Sequence, residues 1–257
     1  MVQITRIELV VRDLDALQRF YVEALGFEAV RTVREVDAKR AVLRLGETRL
    51  DLVAYDTPGA DYPAARASSD PWFQHFAIAV SDMPAAYAQL SACPQTPIST
   101  GGPQLLPPST GSVTAYKFRD PEGHPLELSF NPAARVNGAA ANAAPFLGID
   151  HSAIAVADPA ASIAFYTGLG FYVAEQLVNT GLAQDRLDGL PGVVLDIIVL
   201  TADANPHLEL LHYRSPLPVT VLTVAPEDVA ATRLVLSGAG AIGSTRDPDG
   251  HWLITIS

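Results

Sequence analysis

The chain has a single cysteine, Cys93, which rules out a disulfide within the chain. It has no run of about 18 consecutive apolar residues, the length that indicates a transmembrane helix, so no membrane span is expected. Positive charge is scarce, with 17 Lys and Arg against 28 Asp and Glu. The net charge of −11 argues against nucleic acid as a partner.

The remaining composition agrees with a soluble intracellular protein, as expected for an enzyme. Hydrophobic residues make up 49% of the chain, enough to fill a sizeable core. Met1 leads directly into a predicted strand without a basic and then apolar leader, and this, with the single cysteine, favours the cytoplasm. The expected partner is a small-molecule substrate, without nucleic acid or membrane, and the expected state is a monomer or a homodimer.

A repeat divides the chain into two halves. An Asp seven residues before a Phe-Tyr pair, with Leu-Gly-Phe following, occurs at Asp13 and again at Asp158. An Asp-Pro-(Glu/Asp)-Gly-His sequence starts at Asp120 and again at Asp247. Repeats of this kind indicate a duplicated structural unit. The predicted boundaries are a first half at 1–131, a linker at 132–146 and a second half at 147–257.

A weaker repeat divides each half again. His75 lies seven residues before Asp82, and His151 lies seven before Asp158, so a strand leads into a capped helix in both places. The four resulting modules are 1–60, 72–131, 147–213 and 217–257. Each is expected to contain a strand, a helix and then two or three strands. The predicted fold is therefore α+β, with four βαββ modules forming two curved mixed sheets.

Strand alternation predicts which side chains face the concave side of the second module. Bulky residues of the first strand alternate with His75 and two alanines, and Glu127 alternates with Leu126 and Leu128 in the closing strand. The bulky face packs under the helix. His75 and Glu127 can therefore both point into the concave side, and the third module repeats this pattern with His151 and Glu209.

These four side chains are ligand types for a divalent metal. Imidazole suits Zn, Ni, Co or Fe, and carboxylates widen the choice. With six histidines in 257 residues, composition alone places His at both positions with a chance of about one in two thousand, so coincidence is the weaker explanation. The alternative for Glu127 and for Glu209 is an ordinary outward-facing strand residue, and for Glu209 the alignment of the repeats also crosses insertions. His124 and His251 are interpreted as turn residues.

The motifs together resemble the vicinal oxygen chelate superfamily, which includes glyoxalase I, bleomycin-resistance proteins and extradiol dioxygenases. The resemblance covers essentially the whole chain. It implies a curved sheet around one divalent metal ion (Zn, Ni, Co, Mn or Fe), held by ligands from two modules. Carried onto this sequence, the ligands are His75, Glu127, His151 and Glu209.

The function that the resemblance implies is a metal-dependent glyoxalase-like lyase or isomerase. It would act on a small substrate with vicinal oxygens through an enediolate-type intermediate, with Glu127 or Glu209 as the general base. Two alternatives remain open. One is a non-catalytic binding or sequestration protein of the bleomycin-resistance type, and the other is an extradiol-type dioxygenase.

The first and fourth modules lack this ligand set. Their equivalent positions are Arg6 and Asp51 in the first module and about Val219 and Ile254 in the fourth. One occupied site is therefore expected between modules two and three, and modules one and four should pair around a degenerate site in which Arg6 either forms an ion pair with Asp51 or holds an anion. The missing His and Glu of module four disfavour the dioxygenase alternative. A long loop at 94–112, rich in Pro and Gly, is expected to cover the mouth of the occupied cup.

Overall fold

The computed structural model describes residues 1–134, 144–202, 204–219 and 223–257. The middle of the predicted linker at 132–146 lies outside the described residues. None of the helices in the described part of the chain is both long and apolar enough to cross a membrane.

The described residues form sixteen strands and four helices. The strands are β1 (Gln3–Val10), β2 (Glu28–Arg34), β3 (Ala38–Leu45), β4 (Thr48–Tyr55), β5 (Gln74–Val80), β6 (Thr96–Pro97), β7 (Gln104–Leu105), β8 (Thr114–Arg119), β9 (Pro125–Phe130), β10 (Phe146–Ala155), β11 (Tyr172–Thr180), β12 (Val194–Ala202), β13 (Ala204–Ser215), β14 (Arg233–Ser237), β15 (Gly243–Arg246) and β16 (Trp252–Ile256). The helices are α1 (Leu14–Leu25), α2 (Met83–Ser91), α3 (Pro159–Gly168) and α4 (Leu182–Asp188).

The strands form two mixed sheets, which confirms the predicted fold class. One has the order β15–β16–β14–β1–β4–β3–β2 and joins modules four and one. The other has the order β11–β12–β13–β10–β5–β9–β8–β6, with β7 paired to β8, and joins modules three and two. The antiparallel pairs β1–β14 and β5–β10 connect the modules in the two sheets. The predicted pairing of two with three and of one with four is thus confirmed.

Three helices begin at aspartates, two of which, Asp82 and Asp158, the sequence predicts as caps. The carboxylates of Asp13, Asp82 and Asp158 accept backbone N–H groups two or three residues further on, at 2.9–3.1 Å. Each cap satisfies a donor that the first helical turn leaves unpaired. Helix α1 ends at Gly26, whose φ of +71° is readily adopted by glycine, and the chain then turns back into β2.

Alternation along the strands separates the core from the concave face. Leu126 and Leu128 of β9 are 0% exposed and belong to the main hydrophobic core, as do Leu208 and Leu210 of β13. The residue between each pair, Glu127 or Glu209, therefore points to the opposite face. The same core includes residues of both sheets, of α1 to α3 and of the turns between them.

The repeated motifs meet in the core. The Tyr21 hydroxyl of α1 donates to Asp120 Oδ2 at 2.9 Å, and the Tyr166 hydroxyl of α3 donates to Asp247 Oδ2 at 3.0 Å. The Phe-Tyr motif of one module is thereby hydrogen-bonded to the Asp-Pro-Xaa-Gly-His turn of the next module. Because both partners are buried, each bond satisfies a polar group that would otherwise be costly to bury.

The histidines of the two turns are also buried. His124 Nδ1 lies 2.8 Å from Asp120 Oδ2, and its Nε2 lies 2.9 Å from the carbonyl oxygen of Val10. His251 Nε2 lies 2.9 Å from the carbonyl oxygen of Ala155. Both are turn residues, as the sequence predicts, and each also connects its turn to a first strand of another module.

The fourth module departs from the prediction in two respects. Among the described residues it has no helix between its first and second strands, because β14 and β15 are joined by residues 238–242. Its first strand begins at Arg233, so the prediction that Val219 lies at the ligand-equivalent position is wrong. Val219 is 76% exposed and lies outside the strands.

Two segments border the concave face of the sheet formed by modules two and three. One is the predicted loop at 94–112, which includes β6, β7 and a short helical turn at Pro108–Thr110. The other is α4, which the sequence analysis does not predict. The Thr100 N–H donates to the Arg186 carbonyl at 2.8 Å, and Ser99 Oγ donates to the Leu187 carbonyl at 2.8 Å, so the two segments are joined.

Candidate metal centre

Strand register brings the predicted ligands of each module together. In the parallel pair β5–β9, Glu127 lies opposite Ala77, two residues after His75. In the parallel pair β10–β13, Glu209 lies opposite Ala153, two residues after His151. A two-residue offset keeps both side chains on the same face of the sheet. Each module therefore presents one imidazole and one carboxylate on its concave face.

The central antiparallel pair then brings the two modules together. His75 lies opposite Ala153 in β10, and His151 lies opposite Ala77 in β5. The two imidazole ring centroids are 5.9 Å apart. A shared metal ion requires histidines at about this spacing, since metal–nitrogen bonds are about 2 Å long.

The ligand atoms form a compact cluster. His75 Nε2 lies 3.3 Å from Glu127 Oε2, and His151 Nε2 lies 3.7 Å from Glu209 Oε2. One ligand atom from each of His75, Glu127 and His151 lies within 4.8 Å of the others. The structure thus places the four residues predicted from the sequence side by side. His75, Glu127 and His151 form the cluster, and Glu209 lies next to it through its contact with His151.

His75 provides the test of whether a metal fits here. Its side chain is 2% exposed, and neither ring nitrogen makes a hydrogen bond within the described part of the chain. Leaving a buried polar group without a partner costs about 1–3 kcal/mol. A cation bound between His75, Glu127 and His151 would supply the missing partner, so these residues fit a divalent metal.

Asp150 and His207 also belong to this site, although the sequence analysis does not identify them. Asp150 Oδ2 lies 3.0 Å from His151 Nδ1, next to an irregularity in the β5–β10 register between Ile149 and His151. Because the Asp150 carboxylate is hydrogen-bonded to Nδ1 of His151, the other ring nitrogen, Nε2, is left to bind a metal. His207 Nε2 lies 3.5 Å from Glu209 Oε1, and the rings of His207 and His151 are 5.0 Å apart. The position of His207 two residues before Glu209 is the signal that could have identified it.

Lys117 is a further charged residue at this site, and it was not predicted from the sequence. It lies on β8 opposite Glu127, and its Nζ is 3.9 Å from Glu127 Oε2. Its closest carboxylate is Asp188 at the end of α4, with Nζ 2.7 Å from Asp188 Oδ1. Both side chains are almost completely buried, and mutual charge compensation permits this.

The electrostatics of the two imidazoles differ. Burial and the positive charge of Lys117 lower the pKa of His75, which favours the neutral form. Burial also lowers the pKa of His151, but the charge of Glu209 and the hydrogen bond with Asp150 outweigh it and raise that pKa to about 9. Protonated His151 carries a proton on each ring nitrogen. A metal that binds Nε2 of His151 must therefore displace the proton on that nitrogen.

Both carboxylates are held in the charged form. Burial tends to raise the pKa of Glu127, but the nearby His75 and Lys117 lower it overall. For Glu209, the charge of His151 and the contact with His207 outweigh burial and lower the pKa to about 2. Charged carboxylates are the form in which these residues can bind a metal.

The corresponding position between modules one and four contains an ion-pair network. By strand register, Arg6, Asp51, Arg233 and Ile254 occupy the places of His151, Glu209, His75 and Glu127. Arg6 Nε lies 3.2 Å from Asp51 Oδ2, which confirms the predicted contact. Arg40 contacts both Asp51 and Glu8, at 3.0 and 2.9 Å. Guanidinium groups therefore neutralise the carboxylates where the other sheet has imidazoles.

The chain belongs to the Glyoxalase/Bleomycin resistance protein/Dioxygenase superfamily, whose sequence profile matches residues 3–128 and 148–241. A sequence search among curated proteins finds no match.

Solved structures support the same fold. Glyoxalase I from Zea mays is 16% identical, with a TM-score of 0.65 over 99% of this chain and 92% of that one. A variant of the same maize protein gives 17% identity, a TM-score of 0.67 and the same coverage. A possible dioxygenase from Bacillus subtilis subsp. subtilis str. 168 is 12% identical, with a TM-score of 0.59 over 98% of this chain and 84% of that one. At these identities the similarity concerns the fold alone.

Proposed function

We propose that this chain is a metal-dependent lyase or isomerase of the glyoxalase type, acting on a small substrate with vicinal oxygens. The observation that carries the proposal is the buried imidazole of His75, which makes no hydrogen bond within the described part of the chain and lies in a cluster of ligand atoms with Glu127 and His151. Superfamily membership is consistent with the proposal, but the function has to be argued from the site itself.

The residues that would hold the metal are His75, Glu127, His151 and Glu209. A bound divalent ion would polarise a substrate carbonyl and stabilise negative charge on its oxygen. One of the two carboxylates would accept the proton from the carbon next to that carbonyl. Asp150 keeps Nδ1 of His151 engaged and so orients the ring.

A cavity of about 360 Å³ adjoins these residues, a volume suited to a small molecule. Its lining includes Leu106 and Gly111 of the loop at 94–112 and Gln184 and Leu187 of α4. A substrate bound here would be partly screened from water, which strengthens electrostatic interactions in the site.

The test combines metal analysis with substrate screening. Purified protein is reconstituted with Zn, Ni, Co, Mn and Fe, freed of excess metal, and analysed for metal per chain. Each retained metal is then screened with α-hydroxycarbonyl, dicarbonyl and hemithioacetal compounds. About one metal per chain together with turnover of one of these classes supports the proposal.

Other outcomes favour the alternatives. A protein that retains none of the metals, yet binds a small molecule without altering it, would be a sequestration protein. Turnover that consumes oxygen with iron bound would favour a dioxygenase.

A further inference from the structure

One wall of the cavity beside the metal centre consists of aliphatic side chains from three adjacent strands. Leu195, Ile197 and Val199 follow one another at two-residue spacing on β12 and face the cavity together, with Leu177 of β11 and Leu211 of β13 beside them. A substrate group that lies against this wall therefore meets hydrocarbon.

The facing wall is also aliphatic. Leu187 of α4 lies with Leu106 of the loop at 94–112 and with Val113, which follows that loop. A small hydrophobic cluster joins these three residues with Ala115. Among the described residues that line the cavity there is no Phe, Tyr or Trp, and the aromatic rings are the three imidazoles at the candidate metal centre. Away from the imidazoles, the cavity therefore favours aliphatic groups through burial of apolar surface.

The charges at the cavity oppose an anionic group. Four carboxylates line it, those of Glu127, Asp150, Glu175 and Glu209. Among the described residues of the lining, Lys117 carries the one ammonium group. With the imidazoles counted as neutral, a bound divalent ion would still leave one net negative charge. An anionic substituent would meet this negative potential in a site with restricted access of water.

The Lys117 ammonium is already engaged. It donates to Asp188 Oδ1 at 2.7 Å, and the other oxygen of Asp188 accepts from Gln184 Nε2 at 2.8 Å. Gln184 Oε1 in turn accepts from Asn179 Nδ2 at 2.9 Å. This buried chain of hydrogen bonds fixes the lysine charge against a protein carboxylate, so that it is not free to pair with a substrate acid.

We infer that the vicinal oxygens of the substrate carry an uncharged, aliphatic substituent, which lies between the β11–β13 wall and α4. The inference rests on the proposed function, because the metal centre fixes the oxygen end of the substrate. It points away from substrates with carboxylate or phosphate groups in the part that fills the cavity.

Hydroxamates offer a direct binding test, because they present two vicinal oxygens to a metal and undergo no turnover. Protein loaded with the metal that it retains in the reconstitution is titrated calorimetrically with three hydroxamates of equal chain length, ending in a methyl, a carboxylate or an ammonium group. The methyl-ended compound should bind at least about tenfold more tightly than either charged one, because a charged end loses its hydration against the hydrocarbon walls, and for the ammonium this cost exceeds the gain from the negative potential. Each methylene added to the neutral chain should improve affinity by about threefold until the cavity is filled.

A pair of neighbouring residues provides matched variants. Leu177 lines the cavity, whereas Val178 is 53% exposed and points to the other face of β11. Leu177→Lys should weaken binding of the methyl-ended hydroxamate at least tenfold and improve the relative affinity of the carboxylate-ended one. Val178→Lys adds the same charge outside the cavity and should leave the order of the three affinities unchanged.

The binding measurements distinguish failure of the substituent inference from failure of the proposed function. Binding of all three hydroxamates with equal affinity, or preference for a charged one, would overturn the substituent inference while leaving the metal centre in place. Equal effects of Leu177→Lys and Val178→Lys would also overturn it. Failure to retain any metal, or to bind any of the hydroxamates when loaded, would overturn the proposed function and the inference with it.

Discussion

At the scale of single residues, His75 and Arg6 illustrate how the same fold position serves two purposes. His75 is buried, and neither of its ring nitrogens makes a hydrogen bond within the described residues. Arg6, at the position equivalent to His151, contacts Glu8 and Asp51 at 2.8 and 3.2 Å. The imidazoles can accept a cation, whereas the guanidinium group neutralises the carboxylates beside it and prevents cation binding there.

The first prediction concerns metal retention. His75→Ala and His151→Ala should each reduce the metal retained per chain strongly, because a lost ligand cannot be replaced by packing. Metal analysis after removal of excess ion measures the effect. Arg6→Ala, in the other sheet, should retain as much metal as the unaltered protein. Equal retention in all three variants would mean that the ion binds elsewhere.

The second prediction concerns the base. Glu127→Gln and Glu209→Gln should both keep the fold and part of the metal, because an amide oxygen is a weaker but similarly placed ligand. At least one should lose two or more decades of kcat, about 3 kcal/mol of transition-state stabilisation. Steady-state kinetics on the substrate found by screening provides the measurement. Near-normal rates in both variants would exclude these carboxylates as the base.

At the scale of structural elements, the Asp-Pro-Xaa-Gly-His turns connect modules. The His124 ring, which is 0% exposed, faces the Asp120 carboxylate on one side and the Val10 carbonyl on the other. Two acceptors are best satisfied by an imidazole that carries both protons. Burial tends to lower the pKa of His124, but the charge and hydrogen bond of Asp120 outweigh it, so the pKa lies above its ordinary value of 6.5.

The third prediction follows from that raised pKa. The stabilisation from protonated His124 is fully present below pH 6.5, where the unfolded chain is also protonated, and it is lost as pH rises through the higher pKa of the folded state. The free energy of unfolding should therefore fall over this range in the unaltered protein and less steeply in His124→Gln. Urea unfolding at a series of pH values measures both slopes. Parallel slopes in the two proteins would show that His124 does not titrate in this way.

At the scale of the whole molecule, the candidate metal centre joins the two halves of the chain. His75 and Glu127 come from the first half, His151 and Glu209 from the second, and the β5–β10 pair connects them. A ligand that binds only the folded state stabilises it by mass action. Metal bound here would thus oppose unfolding of both modules.

The fourth prediction is that metal raises the free energy of unfolding of the intact protein. At a free metal concentration about one hundred times the dissociation constant, the gain should be about 2.7 kcal/mol. Chemical unfolding with and without metal provides the comparison. His75→Ala should show a much smaller gain at the same metal concentration. An equal gain in this variant would place the stabilising ion at another site.

Sequence alone was sufficient for the features that local patterns encode. Seven-residue spacing and capping aspartates predict the first strand and the helix that follows it in the second and third modules, and alternation places Glu127 and Glu209 on the face away from the core. The pairing of modules two and three also follows from sequence, since it is the arrangement that unites the two complete ligand pairs.

Tertiary structure decided what depends on contacts between distant segments. Lys117 meets Asp188, 71 residues further along the chain, only because α4 lies over the concave face. Asp150 is next to His151 in the chain, but its contact with that ring lies beside a register shift between β5 and β10 that local patterns do not show. In the other sheet, Arg233 occupies the position equivalent to His75 because it lies opposite Glu8 in the β1–β14 pair. No sequence periodicity in the fourth module indicates this register. Short-range spacing records how a strand or helix forms, whereas register between strands far apart in the chain is set by packing of the whole molecule.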